Sequence, residues 1–364
     1  MEKRSVNVRG DLVCMIALLA VVAVAVPAEA RKVEYVDEVS RMIPVDPDVT
    51  LVLSNTSGDT EITSWARNEI RIIARKVVRA RSMDEAKEYA DDLQMKIRGE
   101  GTRQITVETK YPEWGGGGGV LDLLLSKSPT GEIDYEIMVP TKASIVVTAS
   151  SGDIVVEETG GSLVLSVTSG DVSVRETKGQ LAVAATSGEI DLGDVRGDTR
   201  VSATTGDVTA IGIRGALVVG VTSGDIHCQD VEGPIELGGS SSTVMAMDCS
   251  GMLTVLTSSG DVEIGDHTGG VLVRTSEGYV DAEIESLEGE DCDITTSSGD
   301  VDLQLAESGS YEFVIETVNG EVEIGMPEDM EVQASRTSVH AIYRGGGQMI
   351  RVSTITGSIY IEAM

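Results

Sequence analysis

Aromatic and basic residues are scarce in this sequence. Its 364 residues include one Phe, two Trp and three His, and 28 basic residues stand against 60 acidic ones. A core with so few aromatic rings must be built from small and β-branched side chains in thin layers, which favours a solenoid over a globular sandwich. The formal charge of −32 argues against a nucleic-acid partner, because phosphate backbones bind clusters of Lys and Arg.

Cysteine is also rare, and its number argues against a disulfide framework. The chain has four cysteines, of which Cys14 lies close to the N-terminus. The other three are Cys228, Cys249 and Cys292. Since an odd number cannot form a complete internal set, we expect at least one of these three thiols to be free or paired between chains.

Motifs of common catalytic sites are missing. The sequence contains neither G-x-S-x-G nor H-E-x-x-H, and three widely separated histidines do not indicate a triad. Five glycines, at residues 115–119, precede the apolar run 120–125, but the phosphate-binding pattern G-x-x-x-x-G-K-[ST] is absent. We therefore predict no catalytic residues and no cofactor, and we interpret residues 115–119 as an inserted loop.

The N-terminal segment has the parts of a secretory signal. Basic residues precede an apolar stretch from Leu12 to Val26, and the small-residue cleavage pattern A-E-A follows at 28–30. The apolar stretch is shorter than the roughly 20 residues that a membrane span needs. We predict a signal peptide at residues 1–30 and export to the periplasm, the cell envelope or the exterior. Membrane contact is expected only through an uncleaved signal or the apolar run 120–125.

Glycines recur at a constant spacing. One column repeats at every eighteenth position, with Ser242 in register: Gly152, Gly170, Gly188, Gly206, Gly224, Gly260 and Gly278. A second column lies nine residues out of phase: Gly161, Gly179, Gly197, Gly215, Gly233, Gly251 and Gly269. The spacing of the first column then widens to 21 at Gly299 and Gly320. The repeat unit is therefore a nine-residue half-turn, and two half-turns make one coil.

Apolar residues occupy the second and fourth positions after each glycine, as in Ile154 and Val156. This alternation is typical of a strand with one buried face, and the Thr-Ser-Gly segments that follow are typical of turns. The sequence therefore predicts an all-β fold in which residues 151–364 form a parallel β-solenoid with two strands per coil. Roughly eleven successive coils would stack about 4.8 Å apart. The crossover rule favours a right-handed solenoid.

The strands at the ends of a solenoid need covering. We predict that residues 31–150 form a small α+β cap at the N-terminal end, with one helix over 82–97 and partial coils before the regular array. Ser82 and Glu85 have the spacing of a capping box. The apolar residues that follow lie on one helical face: Ala86, Ala90, Leu93 and Ile97.

Acidic residues follow the first glycine column directly. They are Asp153, Asp171, Glu189, Asp207, Asp225 and Asp261, interrupted by Thr243 and Tyr279. Calcium-binding β-rolls share the nine-residue half-turn, but their ion-binding turns are longer and have fewer inward apolar positions. We therefore expect these carboxylates to accept backbone N–H bonds in turns, with calcium-dependent folding as the alternative.

A second acidic column lies at the sixth position of alternate half-turns. It contains Glu158, Glu176, Asp194, Asp230, Asp248 and Asp266. Stacked carboxylates about 5 Å apart repel one another unless they are solvated or bridged by cations. We interpret this column as a solvated edge, with divalent-ion binding or attraction to a cationic polymer as alternatives.

Cys249 and His267 are separated by one full repeat, so they occupy one column on adjacent coils. With Asp248 and Asp266 beside them, they are the candidates for a metal site. The preceding members of the column are the apolar residues Val195, Ile213 and Val231. Because such a column indicates a partly buried corner, we predict no metal here.

Several segments together resemble a known family. They are the S-S-G-D-I of residues 150–154 with its repeats, D-Y-E-I-M-V-P at 134–140, and Y-P-E-W at 111–114. In these segments the chain resembles the bacterial and archaeal "putative adhesin" family of exported envelope proteins, over about residues 45–361. The resemblance implies a β-solenoid at the cell envelope and brings no catalytic residues with it.

The combined prediction is a non-catalytic, exported β-solenoid with an adhesive, structural or scaffolding role. It would present faces of Ser, Thr and acidic side chains to an envelope protein or a polysaccharide. The alternative is a carbohydrate-active or glycan-binding β-helix with an acidic face, since paired carboxylates are abundant. Against the alternative, the run from Gly152 to Gly278 has no aromatic platform for a sugar ring.

Overall fold

A computed structural model describes residues 32–112, 128–327, 330–335 and 337–364. The predicted signal peptide, the glycine loop 115–119 and the apolar run 120–125 lie outside these residues. The described residues form 31 strands, numbered β1 to β31 in chain order, and one helix, α1 (Met83–Asp92). The strands belong to two long sheets, A and B.

Sheet A has fifteen strands, in the spatial order β1 (Val33–Pro44), β4 (Glu69–Ala80), β7 (Thr130–Pro140), β3 (Thr60–Trp65), β9 (Ile154–Glu157), β11 (Val172–Arg175), β13 (Ile190–Gly193), β15 (Val208–Arg214), β17 (Ile226–Glu232), β19 (Val244–Met247), β21 (Val262–Thr268), β23 (Val280–Ser286), β25 (Val301–Leu305), β31 (Ile359–Ala363) and β27 (Val322–Gly325).

Sheet B has sixteen strands, in the spatial order β28 (Glu331–Ala334), β29 (Ser338–Tyr343), β26 (Tyr311–Asn319), β30 (Gln348–Thr356), β24 (Cys292–Thr295), β22 (Val271–Arg274), β20 (Leu253–Ser259), β18 (Ile235–Ser241), β16 (Leu217–Ser223), β14 (Thr199–Thr205), β12 (Leu181–Ser187), β10 (Leu163–Ser169), β8 (Ser144–Ser151), β2 (Thr50–Ser57), β6 (Gln104–Lys110) and β5 (Gln94–Arg98).

Parallel pairing places equivalent residues of successive coils beside one another. Strands β10 and β12 pair so that Leu163 lies next to Leu181 and Leu165 next to Val183. All four side chains are buried, as the alternating pattern predicts. Each coil therefore adds inward apolar pairs to one continuous core between the two sheets. The prediction of an all-β parallel solenoid with two strands per coil is confirmed.

Glycine is required at the turn from sheet B to sheet A, which we call the first corner. Gly188 at this corner has φ of +133°. A Cβ atom on Gly188 would collide with the carbonyl oxygen of Gly170, one coil earlier. The column of glycines thus combines a backbone conformation that side chains disfavour with close stacking of the corners.

The cap continues sheet A and changes its strand direction. Strand β1 is antiparallel to β4, which is antiparallel to β7, whereas β7 pairs in parallel with β3 and so joins the solenoid. Helix α1 packs against β1 and β4. It begins after Ser82, whose side chain accepts a hydrogen bond of 3.2 Å from the Glu85 N–H. Among the described residues, no helix is long and apolar enough to span a bilayer.

The helix is shorter than the predicted 82–97. It ends at Asp92, and Gln94–Arg98 forms strand β5, in which Ile97 pairs with Val107 of β6. Its last turn has no basic residue to stabilise the carbonyl end. Strand β5 also supplies backbone partners to β6, which would otherwise be the exposed edge of sheet B. Pairing at the sheet edge therefore outweighs the helical spacing of Ile97.

The last coils do not stack in chain order, contrary to the sequence prediction. Strands β30 and β31 lie between the coil of β24 and β25 and the coil of β26 and β27. The inserted coil contributes Ile350, Val352, Ile359 and Ile361, which are fully buried. The coil displaced to the end of sheet A contains β27, where Val322 and Ile324 are only partly buried. The inserted coil is thus covered on both sides in both sheets, whereas β27 of the displaced coil forms the end of sheet A.

Candidate binding surfaces

Aspartates connect neighbouring coils at the first corner. The Asp153 carboxylate accepts a hydrogen bond of 2.9 Å from the Asp171 N–H, and Asp171 accepts one of 2.8 Å from the Glu189 N–H. The same bond recurs along the column at the carboxylates of Asp134, Asp59, Asp207, Asp225, Asp261 and Asp300. Charge-assisted bonds of this kind are stronger than neutral ones. The expectation that aspartates of the first acidic column accept backbone N–H bonds is confirmed for Asp153, Asp171, Asp207, Asp225 and Asp261.

The second acidic column lies at the turn from sheet A to sheet B, the second corner. Its six exposed acids have φ values between 50° and 55°: Glu158, Glu176, Asp194, Asp230, Asp248 and Asp266. Gly212 continues the column with φ of 71°. Aspartate tolerates this left-handed conformation better than most residues, whereas glutamate gains little from it. The column is exposed, as a solvated edge should be, but its members also hold a strained turn.

A groove of about 490 Å³ follows the second corner across adjacent coils. We call it the corner groove. Its lining combines carboxylates, cationic groups and hydroxyls: Glu158, Glu176, Asp194, Lys178, Arg196, Thr141, Thr159 and Thr177. The hydroxyls of Thr159 and Thr177 are buried and have no hydrogen-bond partner among the described residues. The groove thus offers hydrogen-bonding groups of both kinds at intervals of one coil.

The outer side of sheet B is nearly free of charge over β8, β10, β12, β14, β16, β18 and β20. Arg200 and Glu236 are the two charged residues in these seven consecutive strands. Several outward side chains are apolar, and Val164 and Leu256 are 43% and 42% exposed. Others are hydroxyls, such as Thr222. We call the outward side chains of these strands the neutral face.

The outer side of sheet A has an acidic patch near its C-terminal end. Glu263, Asp281 and Asp302 are neighbours in one column, and the Tyr279 hydroxyl donates a hydrogen bond of 3.1 Å to Asp302. Burial, with repulsion from Asp302 and Glu263, raises the pKa of Asp281. Burial and the bond to Asp302 raise the pKa of Tyr279 to about 12. Neighbouring carboxylates in this patch therefore disfavour full ionisation.

The candidate metal residues are divided between the core and the solvent. Cys249 and His267 are buried on adjacent coils, whereas Asp248 and Asp266 are exposed. The Cys249 thiol donates to the Met247 carbonyl oxygen at 3.2 Å, and burial raises its pKa to about 11. Burial lowers the pKa of His267. Within the described ranges, no three His, Cys, Asp or Glu side chains are grouped to hold a metal ion.

Cys228, Cys249 and Cys292 are all buried and free. Burial raises the pKa of Cys228, and it raises that of Cys292 to about 12. The thiolate is the form that attacks or binds a metal, so such protonated thiols are inert packing groups at neutral pH.

The sequence interpretation missed the corner groove and the neutral face. Both depend on outward side chains, whereas the columns used to recognise the repeat are those of glycines, acids and inward apolar residues. Reading the outward positions of sheet B in register would have identified the neutral face, because only Arg200 and Glu236 interrupt it. Lys178 and Arg196 were not recognised as neighbours on adjacent coils, because the repeat at this corner was identified by its acidic residues.

Solved structures that are similar to this chain include proteins from three bacteria. A "putative cell adhesion protein" from Clostridium sporogenes is 10% identical, with 92% of this chain and 100% of that chain covered, at a TM-score of 0.19. A "putative adhesin" from Bacteroides fragilis is 11% identical, with 90% and 97% covered, at 0.22. A "putative lipid binding protein" from Parabacteroides distasonis is 14% identical, with 89% and 96% covered, at 0.26. No curated protein matches the chain.

A family profile matches most of the described chain. It is that of Toastrack DUF4097, which matches residues 49–228 and again residues 215–362. The two matches together span the solenoid and the cap from β2 onward, without β1. This chain is therefore a member of the Toastrack DUF4097 family.

Proposed function

We propose that this protein is an exported, non-catalytic β-solenoid that holds an extended polysaccharide of the cell envelope in its corner groove. The observation that carries the proposal is the lining of the groove, where exposed carboxylates and cationic groups recur at the spacing of one coil. An extended polar chain can meet such a series repeatedly, so that weak individual contacts add along its length. The role is then adhesive or scaffolding rather than chemical.

The chemistry of the groove suits sugar hydroxyls. Glu176 and Asp194 supply acceptors, while Lys178 and Arg196 supply donors on the same side of the rod. Polar ligands are recognised by such mixed sets, because each ligand group needs a partner when it leaves water.

The test is binding of the protein to a glycan array and to polysaccharide extracted from its own cell envelope. The double variant E176Q/D194N removes two acceptor charges from the groove and is expected to weaken binding about tenfold or more. The matched control is D248N/D266N, which removes the same charge from the same column outside the groove. Equal binding by both variants, or no binding by the wild type, would contradict the proposal.

Export is tested separately in the producing cell. Fractionation of cells that express the full chain is expected to place the protein outside the cytoplasm. Deletion of residues 1–30 is expected to retain it inside, because the basic and apolar segments of the signal are then absent. If the full chain stays in the cytoplasm, it cannot meet an envelope polysaccharide, and the proposed partner is wrong.

The acidic patch supports a second candidate, a glycan-cleaving enzyme. Carboxylates on neighbouring coils lie about 5 Å apart, a separation typical of retaining glycosidases. The raised pKa of Asp281 would suit a general acid, and Asp302 is the neighbouring carboxylate on the next coil. Sugar release that D281N and D302N abolish, while E176Q/D194N does not, would favour this candidate over the non-catalytic one.

A further inference from the structure

We propose that two copies of this chain dimerise through their neutral faces, with the rods antiparallel and a two-fold axis along β16. The inference is independent of the polysaccharide proposal, because it concerns the outer side of sheet B rather than the corner groove. It rests on the charge, the shape and the glycines of the neutral face.

Glycines at the centre of the neutral face are not required by the fold. Gly220 and Gly238 pair in the middle of β16 and β18. A Cβ on Gly220 would meet no atom within 4 Å, and one on Gly238 would make only ordinary contacts of 3.8 and 3.9 Å. Neither is among the residues with positive φ. Glycine inside a strand often marks a place where another backbone approaches closely, and here that backbone belongs to a partner.

The charges on the neutral face are arranged symmetrically about β16. Arg200 lies one coil before Val218, and Glu236 lies one coil after it, in the same outward column. Both side chains are exposed, and neither forms an ion pair with another described residue. A two-fold axis along β16 in the plane of contact reverses the order of coils. Arg200 of one copy then faces Glu236 of the other, twice in the dimer.

The sizes of the outward side chains follow the same symmetry. In the second outward column, Ala184 lies two coils before Gly220 and Leu256 lies two coils after it. The reversed order of coils places the protruding Leu256 of each copy over Ala184 of its partner. Large residues thus meet small ones, as in a close-packed interface.

The area of the neutral face fits a stable dimer. Seven strands about 4.8 Å apart and seven residues long cover about 34 Å by 23 Å, or about 800 Å². This equals the area that each partner buries in an interface of standard size. With 60 acidic residues against 28 basic ones, other surfaces of two copies repel each other. The neutral face has one charge of each sign, so that it is where two copies can approach.

The first test is the molar mass of the wild-type chain by light scattering after size exclusion, which is expected to be twice that of the chain. R200E and E236R should each raise the dissociation constant of the dimer about tenfold or more, because like charges then face each other. The double variant R200E/E236R should restore the dimer. A monomeric wild type at micromolar concentration overturns the proposal, and failure of the double variant to restore dimers overturns the antiparallel register.

A matched control variant and a crosslink distinguish loss of the dimer from loss of the fold. R175E makes the same change on the outer side of sheet A and should leave the dimer intact. V218C should crosslink to its own copy through a short bismaleimide, since Val218 lies on the axis, whereas T209C on sheet A should not. The native cysteines at 228, 249 and 292 are buried. Crosslinking of T209C instead of V218C would assign the contact to the opposite sheet.

Discussion

At the scale of single residues, glycine at the first corner is required by both conformation and space. Gly188 combines a positive φ with stacking against the carbonyl of Gly170. Gly193, which ends β13, is different because a Cβ there would touch only the Arg175 side chain, at an ordinary 3.6 Å. The two glycines lie in the same coil and therefore form a natural pair for comparison.

Gly188→Ala is expected to lower the free energy of unfolding by about 2 kcal/mol or more, because the added Cβ strains the backbone and collides with the neighbouring corner. Gly193→Ala should leave it unchanged or raise it by up to about 1 kcal/mol, since alanine restricts the unfolded chain. Urea denaturation followed by circular dichroism measures both. Equal effects at the two positions would show that the corner does not select glycine.

His267 makes stability depend on pH. The side chain is fully buried, and neither ring nitrogen has a hydrogen-bond partner of good geometry among the described residues. Burial lowers its pKa in the folded state, although nearby backbone groups of Gly270, Gly251 and Cys249 partly offset this. Folding therefore favours the neutral ring. Its contribution is fully present above the unfolded pKa of about 6.5 and is lost as pH falls toward the folded pKa.

His267→Val should remove this dependence, because valine resembles Val195 and Val231 in the same buried column. The wild type should lose up to about 1.4 kcal/mol per pH unit more than the variant between the unfolded and folded pKa values. Melting curves of both proteins between pH 7 and 5 check this. Parallel curves would mean that the imidazole already reaches a proton acceptor or water in the folded protein.

At the scale of the strand and its turns, the second corner contains removable strain. Glu158 has φ of 55° and begins the turn after β9, whereas Glu157 is the last residue of that strand. A left-handed conformation is unfavourable by about 1–2 kcal/mol for a residue with a Cβ, and glycine adopts it freely. The two adjacent glutamates thus differ in conformation rather than in chemistry.

Glu158→Gly is expected to raise the free energy of unfolding by about 0.5–1 kcal/mol. The substitution relieves the backbone strain, and this gain exceeds the extra conformational entropy that glycine loses on folding. Glu157→Gly should lower the free energy of unfolding by a similar amount, because Glu157 is paired with both neighbouring strands and glycine loses more conformational entropy there on folding. Both variants lose one negative charge, so that electrostatic effects are matched. Destabilisation by both would indicate that the Glu158 side chain contributes an interaction that exceeds the strain.

The sequence alone predicted the strands that belong to the repeat. It did not predict the elements whose structure depends on which strands pair in the folded protein. Inward pairs such as Leu163 and Leu165 predicted the strands and the core, because period-two burial is a local property of the chain. Ile97 was assigned to the helix because its spacing fits a helical face, but its partner Val107 is visible only in the folded sheet. The order of the last coils likewise depends on which strands pair, because β24 pairs with β30 and not with β26, the next sheet B strand in the chain.

The candidate surfaces were also predicted only where they follow from the sequence repeat. The bonds from Asp153 and Asp171 follow from the Gly-Asp spacing, which is a repeat property. The left-handed backbone of Glu176 was not predicted, since glutamate gives no conformational signal of the kind that glycine gives. The corner groove and the neutral face arise only when coils are stacked, so they needed the register of the sheets.

At the scale of the whole molecule, the excess of acidic residues opposes folding. The formal charge is −32, and stacked carboxylates at the corners and in the acidic patch concentrate it. Sodium chloride at 0.5 M should therefore raise the melting temperature relative to 20 mM, because screening over about 4 Å weakens repulsion between neighbouring coils. Differential scanning fluorimetry at pH 7 measures the change. A falling melting temperature would mean that ion pairs outweigh the repulsion.

Calcium should act only as a source of ionic strength. The first-corner carboxylates already accept backbone N–H groups, as Asp153 does from Asp171. Calcium chloride and sodium chloride at equal ionic strength are therefore expected to give the same melting temperature, and a chelator should leave it unchanged. A specific rise with calcium would support the alternative of calcium-dependent folding.

The coils from β9 to β20 share one register, so this part of the solenoid can change in length only by complete coils. Removal of residues 190–207 would join Glu189 to Val208, which occupies the same inward position as Ile190 and pairs with it in the intact protein. The shortened rod would lose about 4.8 Å, the spacing of one coil, and would keep every column continuous. Relatives of this chain can therefore differ in reach by adding or losing complete coils, without any new core having to arise.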